Sequence, residues 1–124
     1  MVPDKFGNIH VDTGTPVKLP CHVTPSTTTN VTWLQLRERP TSWRIHNIYI
    51  NGQLHVRLRD DQIATIQNPA VGDYSLTFWY IQPVNAGRYQ CFNQQQLLKN
   101  YVIYVDGWFN VLTCTLFQSF CSAA

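Results

Sequence analysis

Four cysteines, four histidines and one Asn-x-Thr triplet are the residues of this 124-residue chain whose types could do chemistry. Cys21, Cys91, Cys114 and Cys121 in so short a chain favour an oxidising compartment, where thiols pair as disulfides. His10, His22, His46 and His55 fall in no metal-ligand spacing such as His-x-x-x-His, so neither a metal nor another cofactor is expected. Serines are present without the Gly-x-Ser-x-Gly elbow that would expose a nucleophile. Glu38 is the only glutamate, and Asp60-Asp61 reads as a solvated turn rather than an acid/base pair. Val71-Gly72-Asp73 reads as a turn, not a phosphate cradle. No catalytic residue is expected. Asn30-Val31-Thr32 is an N-glycosylation sequon, with Asn30 the acceptor.

Composition narrows the class further. The net charge is +2 with both signs scattered, which offers nucleic acid or an anionic membrane no basic cluster. Charged residues and aromatic residues each make up 13% of the chain. So many rings in a small domain place some of them outside the core, as in a binding module. The length suits one domain with a proper core.

The elements that must position these residues read as strands. Residues 76–79 alternate, with Leu76 and Phe78 on one side and Thr77 and Trp79 on the other. Gln82-Pro83-Val84-Asn85-Ala86-Gly87 breaks that pattern with turn chemistry, and Pro83 cannot donate to a ladder. A new strand follows with Tyr89 and Cys91 on one face. Upstream, Val17, Leu19 and Cys21 share a face, and Trp33 sits in the run 31–36. Pro20 is tolerable only if its missing amide faces an edge or a bulge. Further strands are expected at 9–11, 15–22, 43–50, 53–59, 63–67 and 98–105. Asn51-Gly52 is a strong hairpin signal, because both positions favour positive φ.

A Cys, a Trp 12 residues later, then Tyr-x-Cys after a tight corner resembles the immunoglobulin superfamily over roughly residues 6–106. The resemblance implies an all-β fold, an immunoglobulin-like Greek-key β-sandwich. It implies that Cys21 and Cys91 bridge its two sheets across Trp33, and that Trp33, Leu76, Phe78 and Tyr89 lie in the core. It also implies that the Tyr89 hydroxyl bonds back to the corner. The separation of 70 positions between the two cysteines leaves room for the C′ and C″ strands of a variable-type (V-type) domain. The family's corner begins with Asp; here it begins with Asn85, which leaves Arg57 or Arg59 only an uncharged hydrogen bond. The approach Trp79-Tyr80-Ile81-Gln82-Pro83 resembles first domains of invertebrate neuronal and immune recognition proteins. It is also similar to antigen-receptor variable domains, although their Phe-Gly-x-Gly bulge is absent around 101–105.

Register then says what faces out. If Trp33 is inside, Leu34 and Leu36 lie outside, with Gln35 turned inward; if Tyr89 and Cys91 are inside, Gln90 and Phe92 lie outside. One of Trp43/Ile45 or Arg44/His46 joins them, and Tyr101 or Val102. In many V-type domains this C–F–G–C′ sheet face, here the strands ending near Arg37 (C) and Asn93 (F) with 98–105 (G) and 43–50 (C′), pairs with other domains. The expected protein-binding residues are therefore Leu34, Leu36, Gln90 and Phe92, with Gln35 a weaker candidate. The expected partner is another immunoglobulin domain or a second copy of the chain. The alternative is an immune-type receptor domain that binds through its loops at 25–30, 50–53 and 93–97.

The domain is expected to span 1–106, followed by an apolar tail at 107–124. That tail is too short and too broken by polar residues to insert in a bilayer. Cys114 and Cys121 are seven apart, which favours a local disulfide if the segment turns back; a bridge to another chain, a further domain or a tail packed on the sandwich are the other readings. Met1-Val2-Pro3-Asp4-Lys5 lacks an apolar leader. Because the resemblance demands an oxidised bridge, a removed leader is inferred, with the chain secreted or part of the extracellular portion of a cell-surface protein.

Overall fold

The computed structural model describes residues 1–38, 43–60 and 63–106. Cys114, Cys121 and the whole of 107–124 therefore lie outside the described residues, as does Asp61. In chain order the elements are β1 (Asn8–Asp12), β2 (Val17–Leu19), β3 (Val31–Glu38), β4 (Trp43–Ile50), β5 (Gln53–Leu54), α1 (Val56–Asp60), β6 (Ala64–Asn68), β7 (Asp73–Phe78), β8 (Gly87–Asn93) and β9 (Gln96–Asp106). They form a six-stranded sheet, β1-β9-β8-β3-β4-β5, and a three-stranded sheet, β2-β7-β6.

The two sheets close on the residues that alternation points inward. Val17, Leu19, Leu76 and Phe78 come from the smaller sheet; Trp33, Tyr89, Cys91 and Ile103 come from the larger, and all are essentially without solvent contact. A disulfide joins Cys21 to Cys91 across the layers. Trp33 stands opposite Cys91 in the ladder, and its indole N–H donates to the Tyr74 carbonyl at 2.7 Å. That bond satisfies the one polar atom of a fully buried ring. The Phe78 and Tyr89 rings meet edge to face, 5.5 Å apart.

β2 lies at the edge of its sheet, so Pro20 just beyond it removes no ladder bond from a central strand. Its carbonyl accepts from the Tyr101 hydroxyl. The chain start straddles the layers. Lys18 N–H donates to the Met1 carbonyl at 2.8 Å, on the small sheet, whereas β1 runs parallel to β9 in the large one. Gly7 makes that crossing: its φ is +82°, and a Cβ there would sit 2.5 Å from the Asn100 carbonyl oxygen. Only glycine fits.

Asn51 and Gly52 adopt φ of 54° and 76°, the two-residue hairpin turn foreseen for this pair. The strand expected over 53–59 is corrected. Pairing with β4 covers only Gln53 and Leu54, and the chain then coils into α1. Leu54 and Leu58 are four apart, and the coil turns both toward the core while Val56 stays 49% exposed. A continued strand would have given Val56 the same face as both leucines. A second correction concerns Thr77, expected on the open side of its strand. β7 is the central strand of its sheet, and Thr77 is flanked by Lys18 and Thr65 in the ladder, which leaves it buried with its hydroxyl unpaired. The Asn85 side chain is engaged within its own turn, where Oδ1 accepts from the Gln82 N–H at 2.9 Å.

Candidate protein-interaction face

The outer side of the six-stranded sheet is set by which residues stand opposite one another. β3 is its core strand, with β8 on one side and β4 on the other. Leu36 pairs with Arg88 of β8 and with Ile45 of β4; Leu34 pairs with Gln90 and with Asn47. Thr32 pairs with Phe92. One strand further, Arg88 stands opposite Val102 and Gln90 opposite Asn100. Opposed residues share a face, so Ile45, Leu36, Arg88 and Val102 form one row across four strands. Leu34, Gln90 and Asn100 form the next row, and Phe92 lies beyond them.

Burial agrees with that map. Leu34, Leu36, Phe92 and Val102 are half-buried by their neighbours, and Ile45 is 62% exposed. Of the pairs left open by sequence, Ile45 rather than His46 and Val102 rather than Tyr101 face outward, because Tyr101 stacks on Trp33 inside. Gln35 points inward: its amide N–H donates to the carbonyls of Val84 at 3.3 Å and Ala86 at 3.0 Å, holding the corner against β3.

The sheet adds a contact that sequence reading missed. β1 lies beside β9, and His10 stacks on Tyr104 with ring centroids 4.4 Å apart and planes 8° from parallel. Both rings are exposed on the outer side. Nothing local in 8–12 says which sheet this strand joins; the crossing at Gly7 decides it. Among the described residues the face thus carries the apolar side chains of Ile45, Leu36 and Val102 in one row with the cation of Arg88, a row of neutral amides in which Gln90 Nε2 donates to Asn100 Oδ1 at 3.4 Å, and the carboxylates of Asp12 and Asp106 opposed at its far end.

The loops at one end of the sandwich are tight. Gln94 and Gln95 alone turn β8 into β9, with Gln94 at φ 58°, and Gln94 Nε2 donates to the Thr28 carbonyl at 2.7 Å. Ser26, Thr28 and Thr29 hydrogen-bond among themselves. The side chains of Ser26, Thr28, Thr29 and Gln94 are thereby engaged within the loops themselves.

His22 and Asp73 stand together at the start of β7. His22 is exposed, with Nδ1 3.7 Å from Asp73 Oδ1. Burial works to raise the Asp73 carboxyl, but hydrogen bonds from the Ser75 hydroxyl and N–H, with the charges of His22 and Lys18, outweigh it and hold the group below its ordinary value. Burial raises the phenols of Tyr89, Tyr49 and Tyr101; the Tyr74 charge adds to the effect at Tyr49. Among the described residues no cluster of three His, Cys, Asp or Glu side chains could hold a metal, and no helix is long and apolar enough to cross a membrane.

The immunoglobulin V-set domain model matches residues 7–103. No curated protein sequence matches the chain significantly. Among solved structures, a RIG-5 IG1 homodimer is similar with a TM-score of 0.61 at 14% identity, covering 81% of this chain and 90% of that one. The first Ig domain of the mouse polymeric immunoglobulin receptor gives 0.61 at 16% identity, covering 82% and 90%. Dpr1 IG1 bound to DIP-eta IG1 gives 0.57 at 23% identity, covering 79% and 87%. At such identities the likeness is one of fold.

Proposed function

The chain belongs to the immunoglobulin V-set family, and on that premise we propose that it is a non-enzymatic recognition domain whose outer six-stranded face binds another V-type domain, a second copy included. The observation that carries this reading is the convergence of Leu34, Leu36, Phe92, Ile45 and Val102 from four adjacent strands onto one solvent-facing side. Apolar side chains gathered on one face among amides and a few charges are what an interface offers before its partner arrives. Arg88, in the row of Ile45, Leu36 and Val102, is a residue type favoured at such contacts. Two of the similar structures are themselves pairs of such domains, a RIG-5 IG1 homodimer and a Dpr1 IG1–DIP-eta IG1 complex. The chain then acts as an adhesion or receptor-type module outside the cell, where the Cys21–Cys91 bridge is stable.

The loop-binding alternative draws less support, since the two-residue Gln94-Gln95 turn leaves little surface to vary. Sedimentation of the wild type and of Leu36→Asp tests the face. An aspartate there would carry a carboxylate into a contact that must exclude water, with Arg88 opposite it as an offsetting charge, and association should weaken by at least about tenfold, or ~1.4 kcal/mol, with circular dichroism unchanged. Wild type that stays monomeric at high concentration, and that binds no V-type domain through this surface, would sink the reading.

A further inference from the structure

The sequon Asn30-Val31-Thr32 straddles the start of β3, the strand that carries Leu34 and Leu36, with Asn30 just before it. Val31 is 3% exposed and faces the core. Alternation from Val31 puts Asn30 and Thr32 on the outer side, in line with Leu34 and Leu36, and the pairing of Thr32 with Phe92 agrees. The Asn30 backbone is held at both ends: its N–H donates to Asn93 Oδ1 at 3.0 Å, and its carbonyl accepts from the Gln94 N–H at 2.8 Å. Its carboxamide is exposed and makes no hydrogen bond among the described residues. A fixed backbone thus presents an open acceptor amide at the margin of the apolar face.

We propose that Asn30 carries an N-linked glycan, and that this glycan controls access to the Leu34–Phe92 end of the sheet face. The first half stands on the sequon and its exposure; the second rests on the face being a binding surface. Four residue steps lead from Asn30 to Leu34, about 13 Å at ~3.3 Å per residue, and Phe92 stands one strand over from Thr32, two steps along, about 4.8 Å away. A glycan is bulkier than any side chain and strongly hydrated. Flat pairing of two sheet faces buries about 800 Å² on each partner, an area that spans all three outer rows. A glycan rooted two residues beyond the Thr32–Phe92 row must be pushed aside or ordered before that contact closes, and either course opposes binding. The far end, with Ile45, Val102 and the His10–Tyr104 stack, stays clear of it.

The test uses the full chain secreted from eukaryotic cells, with intact mass and sedimentation read before and after an N-glycosidase. A glycan mass should be present in wild type and in Thr32→Ser, which keeps the sequon, and absent in Asn30→Gln. The glycan-free forms, enzyme-treated and Asn30→Gln alike, should self-associate about tenfold more tightly than the glycosylated chain. Adding Leu34→Asp to Asn30→Gln should abolish that gain. An unmodified Asn30 overturns the site. A modified Asn30 with equal association in both forms, including none in either, overturns the control of access while leaving the site in place. The face reading is judged separately, by the effect of Leu36→Asp in the glycan-free background.

Discussion

The Tyr89 hydroxyl donates to the Asn85 carbonyl at 2.6 Å, tying β8 to the turn four residues before it inside a closed core. The ring also packs edge to face on Phe78, so removing the oxygen alone separates the bond from the packing. Tyr89→Phe should cost about 1–2 kcal/mol in denaturant unfolding, because the Asn85 carbonyl loses its partner in a buried setting. Burial raises the Tyr89 phenol well above its ordinary value near 10, against a smaller opposing pull from Arg37. A group raised on folding stabilises fully below its unfolded value and loses that contribution as pH rises beyond it. Wild type should therefore lose stability above about pH 10, and Tyr89→Phe should lose it less steeply over that range.

Asp73 works at the other end of the pH scale. Its Oδ1 accepts from the Ser75 N–H at 3.1 Å, and Ser75 Oγ in turn accepts from the Cys21 N–H at 3.2 Å. The carboxyl sits below its ordinary value of 3.8, so it contributes stability above that value and loses it as pH falls through the folded one. Thermal melts from pH 6 down to about pH 2 should show a shallower acid loss in Asp73→Asn than in wild type. Parallel slopes would mean that other carboxylates set the acid limb.

The Cys21–Cys91 bridge closes a loop of 70 residues. In the chain-entropy account a loop of that length contributes about 4 kcal/mol, a large share of the stability of a domain this size. Cys21→Ala/Cys91→Ala should unfold at much lower denaturant than wild type, and peptide mapping of the native chain should recover residues 21 and 91 in one linked fragment. A double variant as stable as wild type would show the core holding itself.

The core and the outer face were legible because both follow from a period of two anchored by a few residues. Once Trp33 is placed inside, Leu34 and Leu36 have no choice but to face out, and Tyr89 and Cys91 do the same for Gln90 and Phe92. What escaped the sequence depends on neighbours rather than on period. Thr77 is polar in an alternating run, yet its central place between β2 and β6 covers it. His10 meets Tyr104 only because Gly7 sends β1 to the larger sheet. The stretch after Asn51-Gly52 satisfies two periods at once: Leu54, Val56 and Leu58 alternate as a strand, while Leu54 and Leu58 alone match one helical turn. Ladder pairing ends at Leu54, which releases the chain to take the second.

That ambiguity has a direct measurement. In the coiled form Leu58 is 7% exposed and Val56 is 49% exposed, so the two side chains differ sharply in what they bury. Leu58→Ala should cost about 2–3 kcal/mol, through lost transfer energy and the cavity left beside the core. Val56→Ala should stay within about 0.5 kcal/mol, since an exposed site loses little. A continued strand would instead bury Val56 between Leu54 and Leu58 on one face, and both substitutions would then be costly. Denaturant unfolding of the two variants distinguishes the cases: equal losses would return 53–59 to a strand, whereas a loss confined to Leu58 fixes α1 as the element that seals this edge of the sandwich.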